Sequence, residues 1–148
     1  KLETFQKIAV GKTAPELEVN DTKGKPVRLA AISSEFTLLI FWSTNCPHCV
    51  SMMPRVRELY AGQSPKRFEV MAVSIDTSRT SWTNYLKEEK LNWINVSDMK
   101  GYYGKSAEDY NIYATPTVFL LDREKKILSK PITLMELEQA LRDHGLIR

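Results

Sequence analysis

Phe36-Thr37-Leu38-Leu39-Ile40-Phe41-Trp42-Ser43-Thr44-Asn45-Cys46-Pro47-His48-Cys49 is the stretch on which the reading of this chain turns. Its first seven residues are apolar except for Thr37, which suits a central strand covered on both faces rather than a half-exposed one. From about Cys46 to Ala61 the sequence reads as a helix closed by Gly62. Val50, Met53, Val56 or Arg57, and Tyr60 share one face of it, with Leu59 beside them, and Pro54 within it predicts a kink. Both cysteines of the chain therefore fall where a buried strand gives way to a helix start.

That position carries chemistry. The unpaired N–H groups and positive dipole end of a helix favour thiolate over thiol, and a protonated His48 adds positive charge beside it. Cys46 would be the exposed nucleophile that attacks a disulfide, and Cys49, one turn deeper, would resolve the mixed disulfide. The blander reading is a structural cross-link, but so short a loop stabilises by only about 2 kcal/mol. Two buried thiols with Pro47-His48 between them would be an odd core filling.

Outward from the tetrad, Phe68 to Ile75 is a second strand, apolar but for Glu69 and Ser74. A helix over about Thr80 to Lys90, a strand over Asn92 to Val96 and a short helix over Lys105 to Tyr110 follow. Thr117 to Asp122 and Lys126 to Ser129 read as strands joined at Arg123-Glu124-Lys125. A last helix over Thr133 to His144 carries the stripe Leu134, Leu137, Leu141 and stops at Gly145. Before the tetrad, the turn formers Asn20 to Pro26 separate the short edge strands Leu17 to Val19 and Val27 to Leu29. Residues 1–10 read as a lead-in or linker and 11–148 as the domain. This is an α/β pattern with a mixed central sheet.

The 148 residues fit one domain, and 43% hydrophobic content supplies a core that needs no disulfide or metal. The +3 net charge is scattered rather than blocked, which argues against a nucleic-acid groove or polybasic membrane patch. No apolar run approaches the ~20 residues of a membrane span. Two cysteines are too few for a disulfide scaffold or an all-cysteine zinc site. Trp82 and Trp93 read as core and Tyr102-Tyr103 as a surface patch; Glu35 and Asp76 could serve as proton acceptors for the deeper thiol but read better as solvated surface acids.

Phe41-Trp42 before the tetrad, Pro54 after it, and Thr115-Pro116-Thr117 opening a late strand resemble the thioredoxin superfamily. Ala14-Pro15, Gly24-Lys25, Val73-Ser74-Ile75-Asp76, the Tyr110 and Ile112 pair, and the long separation of Cys46 from Pro116 resemble its TlpA/ResA-like branch of extracytoplasmic thiol-disulfide oxidoreductases. The likeness covers about Gly11 to Leu146. It implies a thioredoxin-like fold with helices on both faces of the sheet and an extra segment, around Ser78 to Ser97, between the second core strand and a cis-proline. It implies that Thr115–Pro116 is cis and packs against the tetrad, with Pro47, His48, Thr115 and Pro116 supporting Cys46 and Cys49. It further implies protein thiol or disulfide substrates, an electron donor or acceptor upstream, a place in a bacterial periplasm or cell envelope, and no cofactor beyond a redox-active Cys46–Cys49 disulfide. The chain departs from relatives at Ile40 and Met52, where a carboxylate or amide often stands, and at Asn45, often a Trp.

Two rival readings use the same residues. A peroxiredoxin-like thiol peroxidase looks for Pro-x-x-x-Thr-x-x-Cys; Ser43 stands three before Cys46, but Leu39 fills the proline position. A copper-binding module would use Cys46, Cys49 and His48, soft thiolates suiting Cu(I), with His144 the only other histidine and Met52 and Met53 read as core. Haem attachment needs a histidine where Val50 stands. The direction of electron flow stays open, since ResA-like relatives mostly reduce while the Pro-His dipeptide resembles the oxidant DsbA.

His48 bears on that direction. A donor or positive charge at His48 stabilises the reduced pair, and a stabilised reduced form is the stronger oxidant. For one charge-assisted hydrogen bond, His48→Ala lowers the Cys46–Cys49 potential by roughly 30–60 mV, measured against glutathione. An unchanged potential would leave the helix terminus as the sole determinant.

Overall fold

The computed structural model describes residues 2–148. The apolar run becomes β3 (Phe36–Trp42), after a short helix α1 (Leu2–Lys7) and a small antiparallel pair, β1 (Glu18–Asn20) and β2 (Pro26–Arg28). There follow α2 (Pro47–Ala61), β4 (Phe68–Ser74), α3 (Arg79–Glu88), β5 (Ile94–Ser97), α4 (Lys105–Asp109), β6 (Thr117–Leu121), β7 (Ile127–Ser129) and α5 (Leu134–Asp143). The five-stranded sheet has the order β5-β4-β3-β6-β7. β3, β4 and β5 run parallel, and β6 and β7 close it antiparallel. The sheet is mixed, as the sequence pattern predicts.

β3 is central because it is apolar on both faces. Leu38, Ile40 and Trp42 point to one side, where they pack with Met53, Val56, Trp82, Leu137 and Leu141. Leu39 and Phe41 point to the other, among Ile8, Leu17, Tyr110 and Phe119. Alternation along one strand thus seeds two cores. Residues of α2, α3 and α5 cover the first; α4 and the stretch ahead of β3 cover the second. The Tyr110 hydroxyl donates to the Pro15 carbonyl, tying that N-terminal stretch to the loop after α4.

The segment expected as an addition around Ser78 to Ser97 is α3 with β5. Met71 to Ser74 pairs with Ile94 to Ser97, which extends the parallel part of the sheet by one strand. Ser78 caps α3 by accepting the Ser81 N–H at 3.2 Å. Residues 2–7 of the expected lead-in are helical, and Ile8 is buried in the second core.

Several sequence readings shift. On α2 the buried residues are Cys49, Met52, Met53 and Val56, while Val50 is 37% exposed. Cys46 caps this helix, and the face that packs on the core holds Cys49, Met52, Met53 and Val56, which leaves Val50 on the outer side. α2 runs through Pro54 as one helix. On α5 Ala140 joins Leu137 and Leu141 in the buried set, and Leu134 is half-buried at the first turn. Trp82 and Trp93 are buried, and Tyr103 is exposed, as expected.

Ile40 is fully buried between β4 and β6, opposite Ala72 and Val118. Truncating it leaves a void that close-packed neighbours fill only in part. Ile40→Ala lowers the unfolding free energy by about 2–5 kcal/mol, read from denaturant midpoints at unchanged slope.

Candidate active site

The site begins with strand ends in register. Trp42, the last residue of β3, lies opposite Ser74, the last of β4, so the two chains leave the sheet side by side. The β3 exit turns through Ser43-Thr44-Asn45 and enters α2. Cys46 is the N-cap in an extended conformation, and Pro47 takes the first helical position, where its missing N–H costs nothing.

The Cys46 sulfur accepts the Cys49 backbone N–H at 3.2 Å, filling the role an oxygen plays in most caps. It also reaches the Thr115 carbonyl at 3.3 Å, as donor. Cys46 is half-buried and Cys49 wholly buried; both are free thiols. Burial, foremost, pushes the Cys49 thiol up to about 12. The neighbouring Cys46 sulfur adds to the rise, while contacts with the Ser43 backbone and the Thr115 side chain pull against it.

The Thr115–Pro116 bond is cis, and its loop faces the helix start. Thr115 therefore meets both sulfurs, by its carbonyl and by its side chain. Thr115, Pro116 and Ala114 form one wall of a groove of about 470 Å³; His48, Ser51 and Met52 form another, and Ile132 borders it. His48, Thr115 and Pro116 thus line one groove, and the Cys46 sulfur adjoins it through the Thr115 carbonyl, while Cys49 is buried behind Cys46. His48 and Pro47 are exposed on the rim.

The residue that sequence reasoning placed wrongly is Asp76. Read as a solvated surface acid, it is 2% exposed, two residues beyond β4. Its carboxylate accepts from the Ser43 hydroxyl at 2.9 Å, the Thr44 hydroxyl at 2.7 Å, the Ser74 hydroxyl at 2.6 Å and the Thr44 N–H at 3.1 Å. The burial follows from the register that brings the β3 and β4 ends together, so the signal lay in four polar residues, Ser43, Thr44, Ser74 and Asp76, clustered at the ends of two apolar strands. Glu35 fits the surface reading: it pairs with Arg67 at 3.0 Å, and that guanidinium holds its carboxyl below the usual range.

Ile40 and Met52, where the resemblance led one to expect a carboxylate or amide, are apolar and lie in the same buried cluster as Cys49. Leu39 lies in the opposite core, and the Ser43 hydroxyl is spent on Asp76, so neither supports peroxide activation at Cys46. Among the described residues no group of three or more His, Cys, Asp or Glu side chains could hold a metal ion, and no helix is long and apolar enough to cross a membrane.

A family model described as AhpC/TSA matches residues 10–130. The chain is 32% identical over 134 residues to a protein of Bacillus cereus named thiol-disulfide oxidoreductase ResA, covering 90% of this chain and 76% of that one. Its structure is similar to the thioredoxin domain of a thiol-disulfide oxidoreductase of Bacteroides vulgatus, with TM-score 0.82, 28% identity, and coverage of 92% and 97% of the two chains. A thiol-disulfide oxidoreductase from Bacteroides fragilis matches with TM-score 0.78, 28% identity, and coverage of 90% and 99%.

The raised Cys49 thiol sets a pH dependence. Below about 9 folded and unfolded chains both keep this proton; between about 9 and about 12 only the folded chain does. The unfolded chain gains by ionising, so stability of the dithiol form falls as pH rises through that window. Thermal unfolding of reduced protein at rising pH shows a steeper loss for wild type than for Cys49→Ala. Equal slopes would refute the assignment.

Proposed function

The chain belongs to the AhpC/TSA family and is a thiol-disulfide oxidoreductase, and on that premise we propose that Cys46 and Cys49 exchange disulfides with protein substrates in a bacterial cell envelope. One observation carries the division of labour: Cys46 caps α2 half-exposed, while Cys49 is buried behind it.

In the reducing direction the Cys46 thiolate attacks a substrate disulfide. A Cys46–substrate disulfide forms, and the first substrate sulfur leaves as thiolate and takes a proton. Cys49 then loses its proton and attacks Cys46; the second substrate sulfur leaves, and two electrons have passed from the dithiol to the substrate. The Cys49 N–H facing the Cys46 sulfur stabilises negative charge there, both in the attacking thiolate and when Cys46 is itself the leaving group. Cys49 stays a thiol until needed because burial and the adjacent Cys46 sulfur oppose its ionisation. Once Cys46 is bonded to substrate it carries no charge, and its part of that opposition disappears. The oxidising direction is the same path reversed.

The groove beside Thr115 and Pro116 suits an extended segment of substrate. Pro116 has no N–H to offer, so backbone pairing there falls to Thr115. His48, exposed on the rim, faces what docks. Residues 11–148 are the catalytic unit and 1–10 its lead-in, the redox-active Cys46–Cys49 disulfide serves in place of a cofactor, and an upstream thiol or disulfide protein resets the pair.

Single-cysteine variants test this. Cys49→Ala accumulates mixed disulfides with protein substrate, resolved by non-reducing electrophoresis and reversed by dithiothreitol, and Cys46→Ala accumulates none. Iodoacetamide labels Cys46 before Cys49 in the reduced wild type. Trapping through Cys49, or equal labelling of the two thiols, would refute the roles.

A further inference from the structure

The buried Asp76 carboxylate has no part in the exchange as described, yet the loop that delivers Cys46 hangs from it. We propose that Asp76 is a positioning residue: by holding Ser43 and Thr44 it fixes the turn that aims the Cys46 sulfur, and so sets the reactivity of the pair. The proposal rests on the reading of Cys46 as the nucleophile.

The connections run without a gap. Asp76 accepts from the Thr44 N–H and from the Thr44 and Ser43 hydroxyls. The Ser43 hydroxyl oxygen in turn accepts the Asn45 N–H at 3.1 Å, and the Ser43 carbonyl accepts the Cys46 N–H at 3.2 Å. Every residue from Ser43 to Cys46 is thus bonded to Asp76 or to a residue that is. The Cys46 sulfur in turn accepts the Cys49 N–H, so the anchored turn leads on to the first turn of α2. The carboxylate is held in turn: Ser74 donates to it and accepts the N–H of Asp76 at 2.9 Å.

The same geometry argues against a direct proton-transfer role. Three hydroxyls and one N–H already point at the two oxygens, and none of these donors is a thiol. A carboxylate so occupied has little acceptor capacity left for a proton from Cys49. An acceptor-only group suits this pocket because every partner is a donor. An amide of the same shape would turn an NH₂ toward donors and leave them unpaired.

Pinning and charge predict opposite effects, which makes the proposal testable. Loss of a nearby negative charge favours a thiolate at Cys46 and speeds its alkylation; loss of the pin misplaces the sulfur and slows exchange. Asp76→Asn removes both, and Thr44→Val removes one donor while keeping the charge. The measurements are the rate of Cys46 alkylation by iodoacetamide in a Cys49→Ala background, the rate of exchange with a chromogenic aromatic disulfide with Cys49 present, and the Cys46–Cys49 potential against glutathione, all on protein shown folded by circular dichroism.

Asp76→Asn is expected to slow exchange roughly 10- to 100-fold, the scale of about 1 Å of misplacement. Thr44→Val slows it less and lowers the potential, because a loosened cap stabilises the thiolate less. If Asp76→Asn speeds alkylation while Thr44→Val matches wild type, charge rather than position is at work and the proposal is overturned. It is equally overturned if both variants only melt earlier, with rates and potential of the folded protein unchanged. Should Asp76→Asn not fold, Thr44→Val with Ser43→Ala decides on the same readings. A wild-type protein inactive toward the aromatic disulfide would instead refute the exchange reading itself.

Discussion

At the carboxyl end of β3 the chain passes from sheet to helix, and across that passage the Cys46 sulfur accepts the Cys49 N–H at 3.2 Å. This single contact is a helix cap made by the sulfur proposed to carry the exchange. An ordinary N-cap would be an oxygen that does no more than satisfy a donor. With sulfur there, the N–H that the helix must satisfy anyway is pointed at the atom that gains negative charge. Any shift in the first turn of α2 would move the cap and the chemistry together.

The sheet provides the rigidity this needs. β3 is buried on both faces and bonded on both edges, so its last residue has little freedom. Its parallel neighbour β4 ends level with it, which puts Asp76 under the connecting turn. Its antiparallel neighbour β6 begins level with it on the other side, with Phe41 opposite Thr117, and so brings Thr115 and Pro116 to the same end. Three strand ends meet there, and each contributes a different part: the nucleophile, the anchor and the wall of the groove. A site assembled from several strand ends is held by the whole core, not by any one loop.

Burial then separates two chemically identical thiols. Cys46 stays half-exposed at the helix start, whereas Cys49, one turn on, lies in the buried cluster with Trp42, Met53 and Ile40, and burial pushes its thiol up to about 12. The apolar residues at positions 40 and 52 deepen that difference, since neither offers an acceptor for the Cys49 proton. Thr115, whose side chain reaches the inner thiol while its carbonyl meets the outer one, is the polar group shared between the two.

How much of this was legible in the chain follows from the range of each interaction. A continuous apolar run, a Cys-Pro-His-Cys tetrad at a helix start and a Thr-Pro ahead of a strand are local patterns, and they determined the strand, the helix, the mixed α/β class and the cysteine pair to which the exchange is assigned. Asp76 was beyond reach because an acid after a strand looks solvated until the parallel register is known; only pairing Trp42 with Ser74 closes the space around it. The orientation of Val50 also needed the fold, since several overlapping helical faces suit the sequence and packing against the sheet selects the one through Cys49, Met53 and Val56. Sequence by itself picked out the two cysteines and placed Cys46 at the open start of a helix with Cys49 one turn deeper. Tertiary structure decided how completely Cys49 is buried and what holds the Cys46 loop in place, because burial and hydrogen bonding at that point depend on residues some thirty and seventy positions away.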